Sequence, residues 1–168
     1  RFKHDWRERY IISAITLRLS KRGTLHTAYP GLREQADDLH HPADVHAAVS
    51  ALRRSKLPDP AALPNAGSFF HNPVVSSAQY AALREKHPAM PSFAAGADAV
   101  KIPAAWLIEQ SGFKGARDGK VGIYAEHALV LVNYGGTATE ILAFAAEIQR
   151  AVQSRYGLAL NIEPTVLA

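Results

Sequence analysis

Leu57-Pro58-Asp59-Pro60-Ala61-Ala62-Leu63-Pro64-Asn65-Ala66-Gly67-Ser68-Phe69-Phe70 is the stretch on which the reading of this chain turns. Pro58, Pro60, Pro64 and Gly67 disfavour helix and central strand alike, so residues 57–67 mark a domain boundary or an ordered loop. Ser68 follows the residue type that tolerates most backbone angles and precedes two aromatics. Chemistry alone leaves it two readings. Ser68 can be a turn residue bonding its own backbone, or a proton donor whose hydroxyl approaches a substrate closely while Phe69 and Phe70 exclude water. No Gly-x-Ser-x-Gly elbow surrounds it, which speaks against a hydrolase triad.

Working upstream, His41-Pro42-Ala43-Asp44 opens a helix in which Val45, Ala48, Val49 and Leu52 recur at helical spacing. Its tail, Arg53-Arg54-Ser55-Lys56, places cations where the helix dipole is negative. Arg53 and Lys56 are then either a solvated face or an anion clamp suited to a diphosphate. Earlier still, residues 10–19 are rich in β-formers and end at Lys21-Arg22-Gly23, a strand leading into a turn, with a polar linker at Pro30-Gly31 beyond it.

Downstream, Ser76-Ser77 caps a helix through Lys86, and a Pro-rich loop leads to a short helix over residues 102–110, with Pro103 in its first turn and Gly112 as its stop. Residues 121–133 hold two short strands, the second over 128–132. Thr137 caps a long amphipathic helix through Arg155, and residues 158–167 form a final strand carrying Glu163 between Ile162 and Pro164. Glu163 is either a solvated or paired carboxylate or part of a site. Helices and short strands in this order predict an α+β domain with an antiparallel or mixed sheet.

Composition narrows the function classes. The 168 residues fit one domain, or one domain with part of a neighbour. Met90 is the single methionine and the chain opens on Arg1, so it reads as a piece of a longer product. Hydrophobic residues at 48% and charged residues at 20% are ordinary for a globular protein and argue against disorder. No apolar run approaches the roughly 18 to 20 residues of a membrane span, and no signal pattern is present, so the expectation is a soluble protein. Zero cysteines remove disulfides, thiolate metal sites and a cysteine nucleophile.

The net charge of +4 favours an anionic partner. Because the basic residues are dispersed, discrete phosphate contacts fit better than a nucleic-acid stripe. Eight histidines show no metal-ligand spacing. No Gly-x-Gly-x-x-Gly loop is present, so a nucleotide cofactor would bind elsewhere or through another architecture. Trp106 and Phe113 read as core.

Read together, Lys56-Leu57-Pro58-Asp59-Pro60 and Asn65-Ala66-Gly67-Ser68-Phe69-Phe70-His71-Asn72-Pro73-Val74-Val75 resemble the signature of the UDP-N-acetylenolpyruvoylglucosamine reductases of peptidoglycan synthesis. The resemblance continues through Val100-Lys101, Ala104-Ala105-Trp106-Leu107-Ile108 and residues 127–133 to Glu163. It implies a cytoplasmic bacterial flavoprotein of cell-wall biogenesis, and so of cell shape and division, in which NADPH reduces FAD. The flavin delivers hydride to the enolpyruvyl group of UDP-N-acetylglucosamine enolpyruvate, giving UDP-N-acetylmuramate.

By the same resemblance Ser68 protonates the neighbouring carbon and Glu163 is an essential carboxylate. Tyr29, Arg53, Lys56, Asn72, Lys101 and His127 bind substrate, Lys56 and Tyr29 at the diphosphate. Residues 1–57 would be the tail of the FAD-binding region and residues 58–168 the substrate-binding domain. FAD would be held mainly by a region outside this chain, leaving the chain inactive alone. Phe93 and Thr165 depart from the tyrosine and arginine of other members. A non-catalytic nucleotide-sugar or nucleic-acid binding module is the alternative; the enzyme reading takes neither nucleic acid nor membrane as partner.

Overall fold

The computed structural model of the chain describes residues 5–6, 9–21, 23–29 and 31–166. Arg1, Arg22, Pro30 and Leu167, which entered the sequence reading, lie outside the described residues. The chain divides into two units, Arg1–Ala48 and Val49–Ala168.

In the first unit, a turn in which Leu32 and Arg33 donate to the Tyr29 carbonyl leads into a short 3-10 helix, Arg33–Asp38. Helix α1, Pro42–Lys56, begins in this unit and runs past its end. Pro42 occupies the first helical position, where a missing N–H costs nothing. Asp44 accepts from the backbone N–H groups of His41 at 2.8 Å and His40 at 3.0 Å, satisfying donors the helix itself cannot. Those bonds, led by the one from His41, hold the Asp44 carboxyl below its ordinary pKa.

The expected strand over residues 10–19 does not form. Tyr10, Ile11, Ile12, Ile15, Leu17 and Leu19 are all exposed, Ile11 at 95%. Apolar β-branched residues favour extended backbone, but a strand exists only as one side of a ladder, and none is made here.

The second unit packs two antiparallel sheets with three further helices. One sheet has the order β1 (Asn65–Ser68), β7 (Val130–Asn133), β6 (Val121–Ile123), β5 (Arg117–Asp118); the other has the order β2 (Val74–Ser76), β4 (Ala99–Lys101), β3 (Phe93–Gly96). Every pairing is antiparallel, which settles the mixed-sheet alternative in favour of the simpler one. Val130, Leu131 and Val132 are consecutive and all buried, because β7 is covered on both faces.

Helix α4, Ala138–Tyr156, lies over this sheet and sends Phe144, Ala145, Ile148, Val152 and Tyr156 into the core at helical spacing. A capping box between Thr137 and Glu140 starts it, and Gly157 in the left-handed region, φ 67°, ends it. Helix α2, Ser77–Lys86, is capped by the Ser76 hydroxyl, as the sequence predicts. Helix α3, Ala104–Gln110, starts at Ala104 rather than at residue 102, since Pro103 takes the N-cap position. Trp106 and Phe113 are core-associated: their rings meet Tyr156 at 5.9 Å and Phe144 at 6.0 Å.

Three further readings are corrected. The loop expected across residues 57–67 ends earlier, because β1 begins at Asn65. The second strand of the 121–133 segment starts at Val130, not residue 128. The final strand over residues 158–167 shrinks to one isolated bridge, Phe70 to Ile162. Its burial does alternate, with Leu158 and Leu160 buried and Ala159 and Asn161 exposed. On one side the ladder stops because Phe69 N–H donates to Leu129 O at 2.8 Å rather than to the Glu163 carbonyl, and on the other Pro73 has no N–H to donate.

Gly122 in β6 is demanded by space: an added Cβ would lie 2.7 Å from the Ala116 carbonyl oxygen and 3.2 Å from the Arg117 Cα. The alanine variant Gly122→Ala must push β5 away and weaken the 2.8 Å bond from Ile123 N–H to Ala116 O. A loss of about 1–3 kcal/mol is expected for such overpacking, read as a lower midpoint in urea unfolding. An unchanged midpoint would contradict the close packing of β5 on β6.

Candidate functional site

Asn65 pairs with Val132 and Ser68 with Val130, so β1 spends one more residue than β7 between the same two rungs. The extra residue makes a bulge, and Gly67 accommodates it at φ 71°, in the left-handed region that a side chain disfavours. Ser68 is therefore not a turn residue bonding its own backbone. It stands at the end of a bulged strand, exposed to solvent.

Beyond Ser68 the chain turns two aromatics into the core. Phe69 lines an apolar crevice with Leu131 of β7 and Ile141 of α4, while Phe70, 1% exposed, faces a different depression with Leu129. Phe70 pairs with Ile162, and two backbone bonds of 2.9 Å fasten the pair: His71 N–H to Asn161 O and Glu163 N–H to Phe69 O. Phe70 is buried, and His71 and Glu163, each one residue beyond the bridged pair, are both exposed.

Ser68, Phe70, His71, Asn72, Lys101, Leu129 and Glu163 line a single open depression of about 240 Å³. Phe70 and Leu129 form its apolar floor, and the rest are polar. Four of the residues singled out in the sequence are thus brought together: Ser68, Asn72, Lys101 and Glu163. Lys101 reaches it from β4, where it pairs with Val74 on one side and Phe93 on the other.

Asn72 carries a structural task as well. Its Oδ1 accepts from Ala104 N–H at 2.8 Å, capping α3 in place of Pro103, which provides no side-chain cap. Since an N–H must face an oxygen, this bond fixes the amide orientation and leaves Nδ2 as the group available to a ligand.

His127, Lys56 and Arg53 are not lining residues, but two of them are coupled. His127 Nδ1 accepts from Leu129 N–H at 3.2 Å, which orders the segment that delivers Leu129 to the depression. Its pKa is lowered from the ordinary histidine value, first by burial, then by the positive charges of Lys56 and Lys114. The end of α1 and the β6–β7 connection are thereby close enough to share a field. Arg53 is exposed on the last turn of α1. Tyr29, 64% exposed, belongs to the first unit.

His71 escaped the sequence reading as a site residue. Its Nδ1 stands 3.7 Å from Glu163 Oε2, an ion-pair distance when the imidazole is protonated. The available signal was its place between buried Phe70 and Asn72, but only the pairing with a segment far along the chain reveals its neighbour. Chemically, the depression offers an ammonium, a carboxylate, a hydroxyl and an amide donor within one small polar basin. That set can hold a carboxylate-bearing fragment and supply a proton.

A family model described as UDP-N-acetylenolpyruvoylglucosamine reductase, C-terminal domain, matches residues 59–167. A UDP-N-acetylenolpyruvoylglucosamine reductase of Chromobacterium violaceum is 47% identical over 171 residues, covering 99% of this chain and 50% of its own length. Proteins of the same name from Cupriavidus pinatubonensis and Xylella fastidiosa are 46% and 44% identical, each over 99% of this chain and 50% and 49% of their own lengths. The chain spans about half the length of the curated relatives it matches.

The His127 environment gives a pH-dependent outcome. A depressed folded-state pKa means the unfolded chain takes the proton first, so this contribution to stability is complete above about 6.5, the unfolded value, and declines as pH falls below it. In an NMR titration, His127 is expected to protonate below the ordinary histidine midpoint, and Lys56→Ala is expected to raise that midpoint without restoring it fully. A midpoint indifferent to Lys56→Ala would contradict the coupling.

Proposed function

The chain belongs to the UDP-N-acetylenolpyruvoylglucosamine reductase family, and from that premise we propose that it forms the substrate-binding part of a cytoplasmic flavoenzyme of peptidoglycan synthesis. The parent activity is the NADPH-dependent reduction of UDP-N-acetylglucosamine enolpyruvate to UDP-N-acetylmuramate. The observation that carries the reading is the convergence of Ser68 and Glu163, from opposite ends of the second unit, on one polar depression with Asn72 and Lys101. On this proposal residues 58–168 are the substrate-binding domain, and residues 1–57 the tail of a flavin-binding region.

FAD supplies hydride in such a reaction. The sequence has no Gly-rich phosphate loop to cradle it. On this proposal FAD is held mainly by a region outside this chain, with NADPH as co-substrate, and this chain contributes substrate recognition and proton delivery.

The enolpyruvyl carbon that bears the ether oxygen and the carboxylate gains negative charge when its neighbour accepts hydride, and that charge spreads onto the carboxylate. Lys101 answers it with a fixed positive charge, and the free Nδ2 of Asn72 donates to an oxygen. Ser68 Oγ then gives its proton to the carbon, completing a saturated lactyl ether, and an exposed hydroxyl regains a proton from solvent. Glu163 accepts a hydrogen bond that orients either the Ser68 hydroxyl or the substrate. Lys56, Arg53 and His127 extend substrate recognition beyond the depression, Lys56 at the nucleotide diphosphate as a point charge.

In a protein of the relatives' full length that carries this sequence, Ser68→Ala is expected to leave flavin reduction by NADPH intact. Reoxidation by the enolpyruvate substrate should slow by a factor on the order of 10² to 10⁴, the usual contribution of a positioned proton donor. Stopped-flow absorbance of the flavin separates the two half-reactions. Reoxidation at the unmodified rate would remove Ser68 from this role.

A further inference from the structure

Phe70 and Leu129 are the apolar residues of an otherwise polar depression, and neither is free to withdraw. Phe70 is 1% exposed and tied through its bridge to Ile162. Leu129 is held through both of its main-chain polar groups: its N–H donates to His127 Nδ1 at 3.2 Å, and its carbonyl accepts from Phe69 N–H at 2.8 Å. The residues that follow it, Val130 to Val132, are buried in β7, and its own side chain packs in the core with 8% left exposed. Leu129 is thus a fixed wall next to the rung that joins Val130 to Ser68.

A polar ligand part laid on such a floor loses hydration and gains no partner, whereas an apolar part gains by the same contact. The group proposed to react here has one apolar part. Its central carbon bears a carboxylate, answered by Lys101 and Asn72, an ether oxygen that leads to the sugar, and a terminal methylene. We propose that Leu129, with Phe70 beside it, is the specificity-determining contact for that terminal carbon: the floor seats its edge and limits the size of what it carries. An extra methyl there presses on a wall that cannot retreat, and shortening leucine to alanine makes room for it. This inference deepens the proposed reaction and rests on the reading of the depression as the seat of the enolpyruvyl group.

Two measurements on a protein of the relatives' full length that carries this sequence test it. The first is titration calorimetry without NADPH, using two ligands. UDP-N-acetylmuramate presents a lactyl methyl where the substrate has its methylene; UDP-N-acetylglucosamine lacks the three-carbon ether altogether. Leu129→Ala should weaken binding of the former by about fourfold, the worth of burying one methylene-sized group, and leave the latter unchanged. Equal weakening of both ligands, or of neither, overturns the contact.

The second is the rate of flavin reoxidation by the enolpyruvate substrate and by its homologue with one more methyl on the terminal carbon. The homologue-to-substrate ratio should rise about tenfold in Leu129→Ala, the scale on which an apolar pocket senses one methylene. Leu129→Met, which keeps the bulk, should retain the unaltered ratio. Leu129→Val should give an intermediate value, and it carries the test if the alanine variant does not fold. A ratio indifferent to both truncations overturns the size limit. When the unaltered protein turns over the enolpyruvate substrate and the ratios do not move, this inference fails alone; when the unaltered protein does not turn it over, the proposed reaction fails with it.

Discussion

Two main-chain hydrogen bonds across the Phe70–Ile162 bridge are the constraint on which the site depends. They join the strand that carries Ser68 to the segment that carries Glu163, and the rest of the depression is arranged around that joint. Because both bonds use backbone groups, side-chain identity enters through direction alone. Phe70 is anchored inward at 1% exposure, while His71 and Glu163, each one residue beyond the bridged pair, are exposed. The bulge at Gly67 performs the complementary task on the other side of Phe70. It resets the register by one residue, so that Ser68 opens to solvent and its two aromatic successors enter the core.

The surrounding packing makes this short joint hold. β7 is buried from Val130 to Val132 and links β1 to β6, and α4 seals that sheet with Phe144, Ile148 and Val152. Leu158 and Leu160 follow Gly157 into the same core, and Gln149 of α4 donates to the Leu160 carbonyl at 2.7 Å. The segment thus arrives at Ile162 already tethered. On the opposite side, Asn72 and Pro73 bond to the start of α3, so the chain leaving the bridge is fixed too. A site built from loop-like segments gains its geometry from elements that are helical or fully paired.

Much of the helical architecture was legible in the sequence, since its signals are local. Thr137, Ser76 and Pro42 each act within a turn of the element they bound, and the spacing of Val45, Ala48, Val49 and Leu52 repeats within one helix. Strands were harder for a physical reason. β1 and β3 are four residues long and composed largely of Ala, Gly and small polar side chains, which carry no alternation, and β4 is only three residues long. Residues 10–19 carry the right composition and form no strand, because pairing is a property of two segments. The site divides in the same way. Ser68, Asn72, Lys101 and Glu163 were named from a resemblance and are found in one depression, whereas His71 is recognisable only once its partner across the bridge is known.

The central claim is that the Phe70–Ile162 joint exists in solution and sets Glu163 beside Ser68. Amide hydrogen exchange of His71 and Glu163 tests it most directly, since both side chains are exposed and only the two cross-bridge bonds protect these amides. The account predicts that both exchange markedly more slowly than exposed Thr165 and Val166 just beyond Pro164. Exchange of the Glu163 and His71 amides at the rate of those neighbours would contradict it.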